Sequence, residues 1–278
     1  MSAPVLALVL LSALLHATWN AALRSGADRI WTMTVMCSTT ATIALPMALG
    51  LPAPARESWP YLAASVVLQV AYCVFLVRAY RTGNLAQVYP IARGSSPVLV
   101  TIAAALFAHE HLGSAALAGV GLASAGIAGC AAGRGRPDRA SLLAAVTTGI
   151  LIAGYTVIDG IGARASGSAF AYVAWLFVAQ GSAMALMFRL VHGPLRLDFK
   201  SPESWKAIGG GVLSVGSYGT VVWALTLSPM GMTSALRDTS VLFAALLGRV
   251  VLREPLGVAR LAACAAIAAG AVLLALQR

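Results

Sequence analysis

Residues 89–100 read YPIARGSSPVLV, and residues 234–243 read SALRDTSVLF. Each sets an arginine among small and apolar residues, with long apolar sequence on either side. Sliding the chain by 144 residues superposes ARGSSPVL (92–99) on LRDTSVLF (236–243), so that Arg93 meets Arg237 and Ser96 meets Ser240. The same ungapped offset matches Glu110, Leu112 and Gly113 to Glu254, Leu256 and Gly257. It then matches Leu117 and Ala118 to Leu261 and Ala262, and Ala125 and Gly126 to Ala269 and Gly270. Leucine and alanine matches are cheap in such a composition, but arginine, serine, glutamate and glycine matches are not. The chain therefore reads as an internal duplication.

Composition says what is duplicated. The 278 residues are 59% hydrophobic and only 10% charged, with a mean hydropathy of +0.84. A soluble domain carries about 25% charged residues, and a globule of this size has no means of hiding so much apolar surface from water. A membrane protein follows. The net charge of +10 does not point to nucleic acid. The basic residues sit singly between apolar spans, where they anchor loops, and form no basic stripe with interleaved aromatics.

A bilayer core requires about 20 apolar residues per helix. Windows of that length give ten spans: 3–23, 30–50, 59–80, 86–108, 112–131, 141–162, 168–191, 205–228, 231–252 and 256–276. The apolar N-terminus lacks a basic n-region and outruns a signal-peptide core, so it is the first span. The polar stretch GRGRPDRAS (133–141) falls near the midpoint. The expected organisation is a first five-helix repeat over 1–131, a linker over 132–140 and a second repeat over 141–278. An odd number of spans per repeat forces the two halves into opposite orientations. The predicted fold class is thus an all-α membrane protein of ten transmembrane helices in two inverted five-helix repeats.

The ten spans, the five-plus-five repeat, HATWN (16–20) and the E-x-L-G phrase after the fourth and ninth spans resemble the EamA-like branch of the drug/metabolite transporter superfamily. YPIARGSSP resembles one bacterial subgroup of it. The resemblance covers essentially the whole chain. It implies a multi-pass transporter of the bacterial cytoplasmic membrane, with a central cavity between the halves. Orientation stays open: most basic residues, among them Arg24, Arg29, Arg134, Arg196 and Lys200, follow odd-numbered spans, which puts both termini outside. The resemblance implies cytoplasmic termini.

Arg93 and Arg237 are the leading substrate-binding candidates. A charge at depth costs at least ~2.5 kcal/mol on insertion scales and usually faces a cavity or a partner. Counting residues places Arg93 about 10 Å and Arg237 about 9 Å from their helix starts, approaching from opposite faces. Both lie in the positive halves of their helices. This favours a carboxylate or phosphonate held by bidentate hydrogen bonds. Structural pairing of Arg237 with Asp238 or Asp159 is the plainer alternative. Pro97 strips the Arg93 carbonyl of its helical partner, and Pro90 does the same to Ala86. Both prolines are candidate kinks, with Ser95 and Ser96 at hand to fill the gaps. The second half has Ser234 and Val241 at the proline positions, so the halves are not expected to move symmetrically.

His16, Trp19 and Asn20 form a polar face on the first span, and Tyr155 and Asp159 a comparable one on the sixth. Tyr72, Tyr89, Trp175, Gln180, Tyr218, Trp223 and Ser240 complete the candidate cavity wall. Asp159, Asp238 and His16 are candidates for ion coupling. Trp31, Trp59 and Trp205, near span ends, read as interface anchors. His109-Glu110-His111 does not close a metal site, because successive helical residues point about 100° apart. A loop or helix-capping role suits Glu110 better. The four cysteines read as small buried hydrophobes. The small-residue fifth and tenth spans suit scaffold or homodimer contacts.

The expected function is secondary transport of a small organic metabolite, anionic or zwitterionic, such as an amino acid, organic acid or phosphonate. Expected partners are the lipid bilayer and this small molecule; no cofactor, metal or nucleic acid is expected. A broad drug or cation exporter, and a non-transporting sensor or assembly protein, are the alternatives. No nucleophile–base set and no GxxxxGK[ST] loop is present, so an enzyme or a self-contained ATP-driven pump is not expected.

Overall fold

The computed structural model describes residues 1–81, 85–131, 139–251 and 257–277, the side chains of 78–81, 85–89, 140–141 and 246–251 excepted. Glu254 and most of the 132–140 linker lie outside the described residues. The described elements are all helices: α1 (Ala3–Ser25), α2 (Arg29–Gly50), α3 (Trp59–Arg81), α4 (Leu85–Phe107) and α5 (Ser114–Gly129) form the first half. The second half is α6 (Arg139–Ala165), α7 (Ala169–His192), α8 (Pro202–Leu227), α9 (Met230–Asp238), α10 (Ser240–Val251) and α11 (Val258–Ala275). Among the described residues, eight helices are long and apolar enough to cross a bilayer. Helix is the form a spanning segment must take, since lipid offers the backbone no other hydrogen-bond partners.

Two expectations change. The ninth span, expected as one helix over 231–252, is two: α9 ends at Asp238 and α10 starts at Ser240. The span without prolines is therefore the one interrupted, at Thr239 alone and in backbone that stays right-handed (φ −59°, ψ −9°), while α4 runs on through Pro90 and Pro97. The second change is at the linker, where α6 begins at Arg139 and absorbs two residues assigned to the connection.

Helix ends are set by local chemistry. Asp28 caps α2 by accepting the Ile30 and Trp31 N–H groups, both at 3.1 Å. Gly113 and Gly257, matched by the repeat, occupy the N-cap positions of α5 and α11. The indole N–H groups of Trp31, Trp59 and Trp205 donate to the carbonyls of Arg196, Pro54 and Phe199. Each thus ties a helix start to a loop.

The halves interlock. The principal pairings are α2 with α7, α5 with α11, α1 with α8, and α3 with α6; α4 packs on α6 and α9, and α1 on α9 and α10. Exchanging first-half helices for their second-half counterparts maps this pattern onto itself. After five crossings, α6 runs opposite to α1, so the pseudo-twofold axis lies in the membrane plane. Small residues allow the closest crossings. A Cβ on Gly270 would stand 2.6 Å from the Ala123 nitrogen of α5, and one on Gly126 would stand 2.8 Å from the Ile267 nitrogen of α11. Packing between α2 and α7 is as tight: a Cβ on Gly181 would lie 2.3 Å from the Cys37 carbonyl oxygen.

Candidate functional site

Midway along the bundle lies a partly open cavity, with about 640 Å³ of space between its walls when the part open to solvent is included. His16 and Trp19 of α1, Met33, Met36, Cys37 and Thr40 of α2, and Gln69, Tyr72 and Cys73 of α3 line one side. Tyr155 of α6, Phe177 and Gln180 of α7, Ser214 and Tyr218 of α8, and Arg237 of α9 line the other. Both halves contribute.

The last turn of α9 brings charge to this cavity. Arg93, Arg237 and Asp238 are all at most 1% exposed. Arg93 Nη1 donates to Asp238 Oδ1 at 2.7 Å, and Arg237 Nε donates to the same oxygen at 3.2 Å. The Ser96 hydroxyl donates to Asp238 Oδ2 at 2.5 Å, with the Arg93 carbonyl freed by Pro97 3.3 Å away. Arg93 Nη2 also contacts His16 Nε2 and lies 3.5 Å from the Tyr72 hydroxyl. Guanidinium only donates, so His16 Nε2 is the acceptor and its ring proton sits on Nδ1. Two cations share one carboxylate, which leaves one positive charge over. It lies toward Arg237, which lines the cavity and whose buried Nη2 has no hydrogen-bond partner. Arg93 is not among the lining residues; it is drawn behind the wall by Asp238 and His16.

A second polar cluster surrounds Asp159, fully buried on α6. Its Oδ2 accepts from Gln69 Nε2 at 3.0 Å and from the Tyr218 hydroxyl. Its Oδ1 accepts from the Tyr172 hydroxyl at 3.0 Å. All three donors are neutral. Tyr218 also forms part of the cavity wall, where Tyr72, Tyr155 and Tyr218 stack edge to face in series at 5.5 and 5.8 Å.

The structure brings together His16, Trp19, Tyr72, Tyr155, Gln180, Tyr218 and Arg237 as wall, with Arg93, Ser96 and Asp238 directly behind. Other candidates go elsewhere. Asn20 donates to the His16 carbonyl within α1 at 3.1 Å. Ser95 donates to the Ala92 carbonyl at 3.0 Å and faces Gly149 of α6. Ser240 is buried beyond the helix break. Trp223 packs with α1 and α5 side chains, and Trp175 against Trp59. The Tyr89 side chain lies outside the described residues. Sequence reasoning passed over Gln69 and Thr40, and over the sulfur-bearing wall of Met33, Met36, Cys37 and Cys73. Gln69 carried a signal, being an amide inside an apolar span. The sulfur residues carried none, because core and cavity wall use them alike.

Comparison with known proteins agrees with this architecture. A family model described as "EamA-like transporter family" matches residues 3–131 and again 139–276. A solved structure titled "Crystal structure of protein" superposes with a TM-score of 0.76 at 18% identity, covering 98% of this chain and 96% of that one. At that identity the likeness speaks for the fold. No curated protein sequence gives a significant match. With two copies of the family pattern spanning nearly all its length, a ten-span duplicated bundle and a cavity between the halves, the chain belongs to the EamA-like transporter family.

Proposed function

We propose that the protein is a secondary transporter for a small organic metabolite bearing an anionic group, a carboxylate or phosphonate, and that Arg237 holds that group. One observation carries the reading: a buried guanidinium nitrogen at a cavity wall has no partner, in a cluster with one positive charge in excess. A buried donor left unmade is costly, and an anion in the cavity would satisfy both donor and charge. The aromatic wall suits the remainder of the molecule, including an ammonium group over a ring face, so amino acids and aminophosphonates fit the class. The surplus charge disfavours a cationic drug as cargo. Transport would proceed by rocking of the two halves about the cavity. Ion coupling belongs at Asp159, whose partners are neutral and which reaches the cavity through Tyr218. The host membrane is the bacterial cytoplasmic membrane, with the basic odd-numbered loops inside.

The test is flux in proteoliposomes across amino acids, organic acids, phosphonates and amines. Arg237→Ala should slow the anionic cargo about tenfold or more, the scale of one hydrogen bond to a charged group. A well-inserted Arg237→Ala protein with the parent rate and the parent selectivity would sink the reading.

A further inference from the structure

Away from the cavity, at the face carrying both chain termini, a second charged network joins the halves. Glu110 follows α4 in the first half. Its Oε1 lies 2.5 Å from Arg164 Nη2 in the last turn of α6. Its Oε2 accepts the N–H of Met230, first residue of α9, at 2.8 Å. Arg164 also donates from Nε to the Leu225 carbonyl at 2.9 Å and from Nη2 to the Ser228 carbonyl at 3.1 Å, at the end of α8. One carboxylate and one guanidinium thus fasten the ends of four helices.

The loop is shaped to deliver Glu110. Among the described residues His109 is the one non-glycine with positive φ, at 54°. Left-handed backbone is disfavoured for an L-residue and persists where its surroundings require it. The turn is completed by a bond from the Glu110 N–H to the Ala104 carbonyl at 3.1 Å. Glu110 is aimed at the positive end of α9, where a carboxylate is favoured.

Helix α9 connects this network to the cavity. It has nine residues. Its first N–H is held by Glu110; its last two residues are Arg237 and Asp238, held to α4 through Arg93 and Ser96. Thr239, a single tight turn at φ −59° and ψ −9°, joins it to α10. A rigid rod of this length cannot shift at one end and stay put at the other. We infer that the Glu110–Arg164 pair is the gate of the terminal face, closed in this structure, and that α9 is the lever linking its opening to the charge state of the Arg237 site. This rests on the transporter reading above and adds the residues that enforce alternation. The pair's side chains keep 33% and 14% of their exposure, and a pair with that much access to water is weak enough to be made and broken within a cycle.

The experiment uses the native cavity thiols Cys37 and Cys73 in a Cys130→Ala/Cys264→Ala background. Sealed proteoliposomes of known orientation are treated with a membrane-impermeant thiol reagent applied from the terminal face. Glu110→Gln and Arg164→Gln should each speed labelling about tenfold, the scale of one coupling contact. The double variant should go no further than the faster single one. As a second arm, Glu110→Cys and Arg164→Cys are cross-linked in a background lacking the other cysteines. The cross-link should stop flux, and reduction should restore it. Labelling at the parent rate in both single variants, or flux undiminished by the cross-link, overturns the gate. Labelling needs no substrate, so a protein that moves nothing on the panel but changes its labelling keeps the gate and loses the transport reading. A protein that transports but does not change its labelling does the reverse.

Discussion

Arg93 and Asp238 are 145 positions apart in the chain and 2.7 Å apart in space. The contact joins α4 to α9, the two elements related by the internal duplication, at the depth where α9 stops. Each half supplies one member of the pair. The second arginine of the duplication, Arg237, competes for the same carboxylate oxygen at 3.2 Å.

Removing that carboxylate should be the most damaging single change in the bundle. Asp238→Asn leaves two buried guanidinium groups without a counter-charge. Breaking a buried pair by deleting one partner costs about 3–5 kcal/mol. Thermal unfolding of the purified protein in lipid nanodiscs should show a clearly lower melting temperature; an unchanged one would mean that the charges are compensated from elsewhere.

The two arginines should separate stability from transport. Arg93→Met leaves Asp238 with Arg237 and Ser96, but removes the charged tie between α4 and α9, so melting falls more than cargo selectivity changes. Arg237→Met removes the cavity-facing cation, so flux of anionic cargo falls more than melting does. Paired melting and flux measurements check this, and identical rankings in both assays would contradict it.

Tyr172 and Tyr218 share Asp159 and should be energetically coupled. Groups within one hydrogen-bond network show interaction energies of about 0.5–3 kcal/mol. Tyr172→Phe and Tyr218→Phe in a double-mutant cycle, followed by chemical denaturation, should return a value in that range. Strict additivity would show that the carboxylate does not bind the two hydroxyls together.

Gly126 and Gly270 should tolerate no side chain. A Cβ at either would come within 2.8 Å of backbone nitrogen on the facing helix. Forcing α5 and α11 apart costs about 1–3 kcal/mol. Gly126→Val should lower the melting temperature and the monodisperse yield, whereas Gly121→Val, with open space around it, should leave both near the parent values.

Much of this was legible in the chain, and the reasons differ residue by residue. The repeat was readable because Arg93 and Arg237, and Gly113 and Gly257, survive at one offset. The arginines stood out because a charge at depth is expensive and therefore purposeful. The partner of Arg93 was not readable. Asp238 sits beside Arg237 in sequence and invited a local pairing; only the α4–α9 packing shows that Arg93 takes the shorter bond. The one-residue interruption at Thr239 was also hidden, because α9–α10 carries no proline, while α4, which carries two, continues. Trp223 and Asn20 were expected at the cavity because they are polar or aromatic within spans. Helical phase turned Trp223 toward α1 and α5, and Asn20 bonds along its own helix. Glu110 was foreseen as a capping residue, but not that it caps α9, 120 positions away.

By itself the sequence determined the material and the plan: ten apolar segments, a duplication, and inversion by odd parity. These follow from quantities summed along the chain, namely hydropathy and the bilayer's demand that backbone bonds close within each segment. Tertiary structure alone decided which arginine reaches the cavity and which carboxylate two arginines share. It also decided where a loop glutamate finds its partners. Those outcomes depend on the rotation of each helix about its axis and on contacts between residues more than fifty positions apart, and packing of the two halves, not local sequence, sets both.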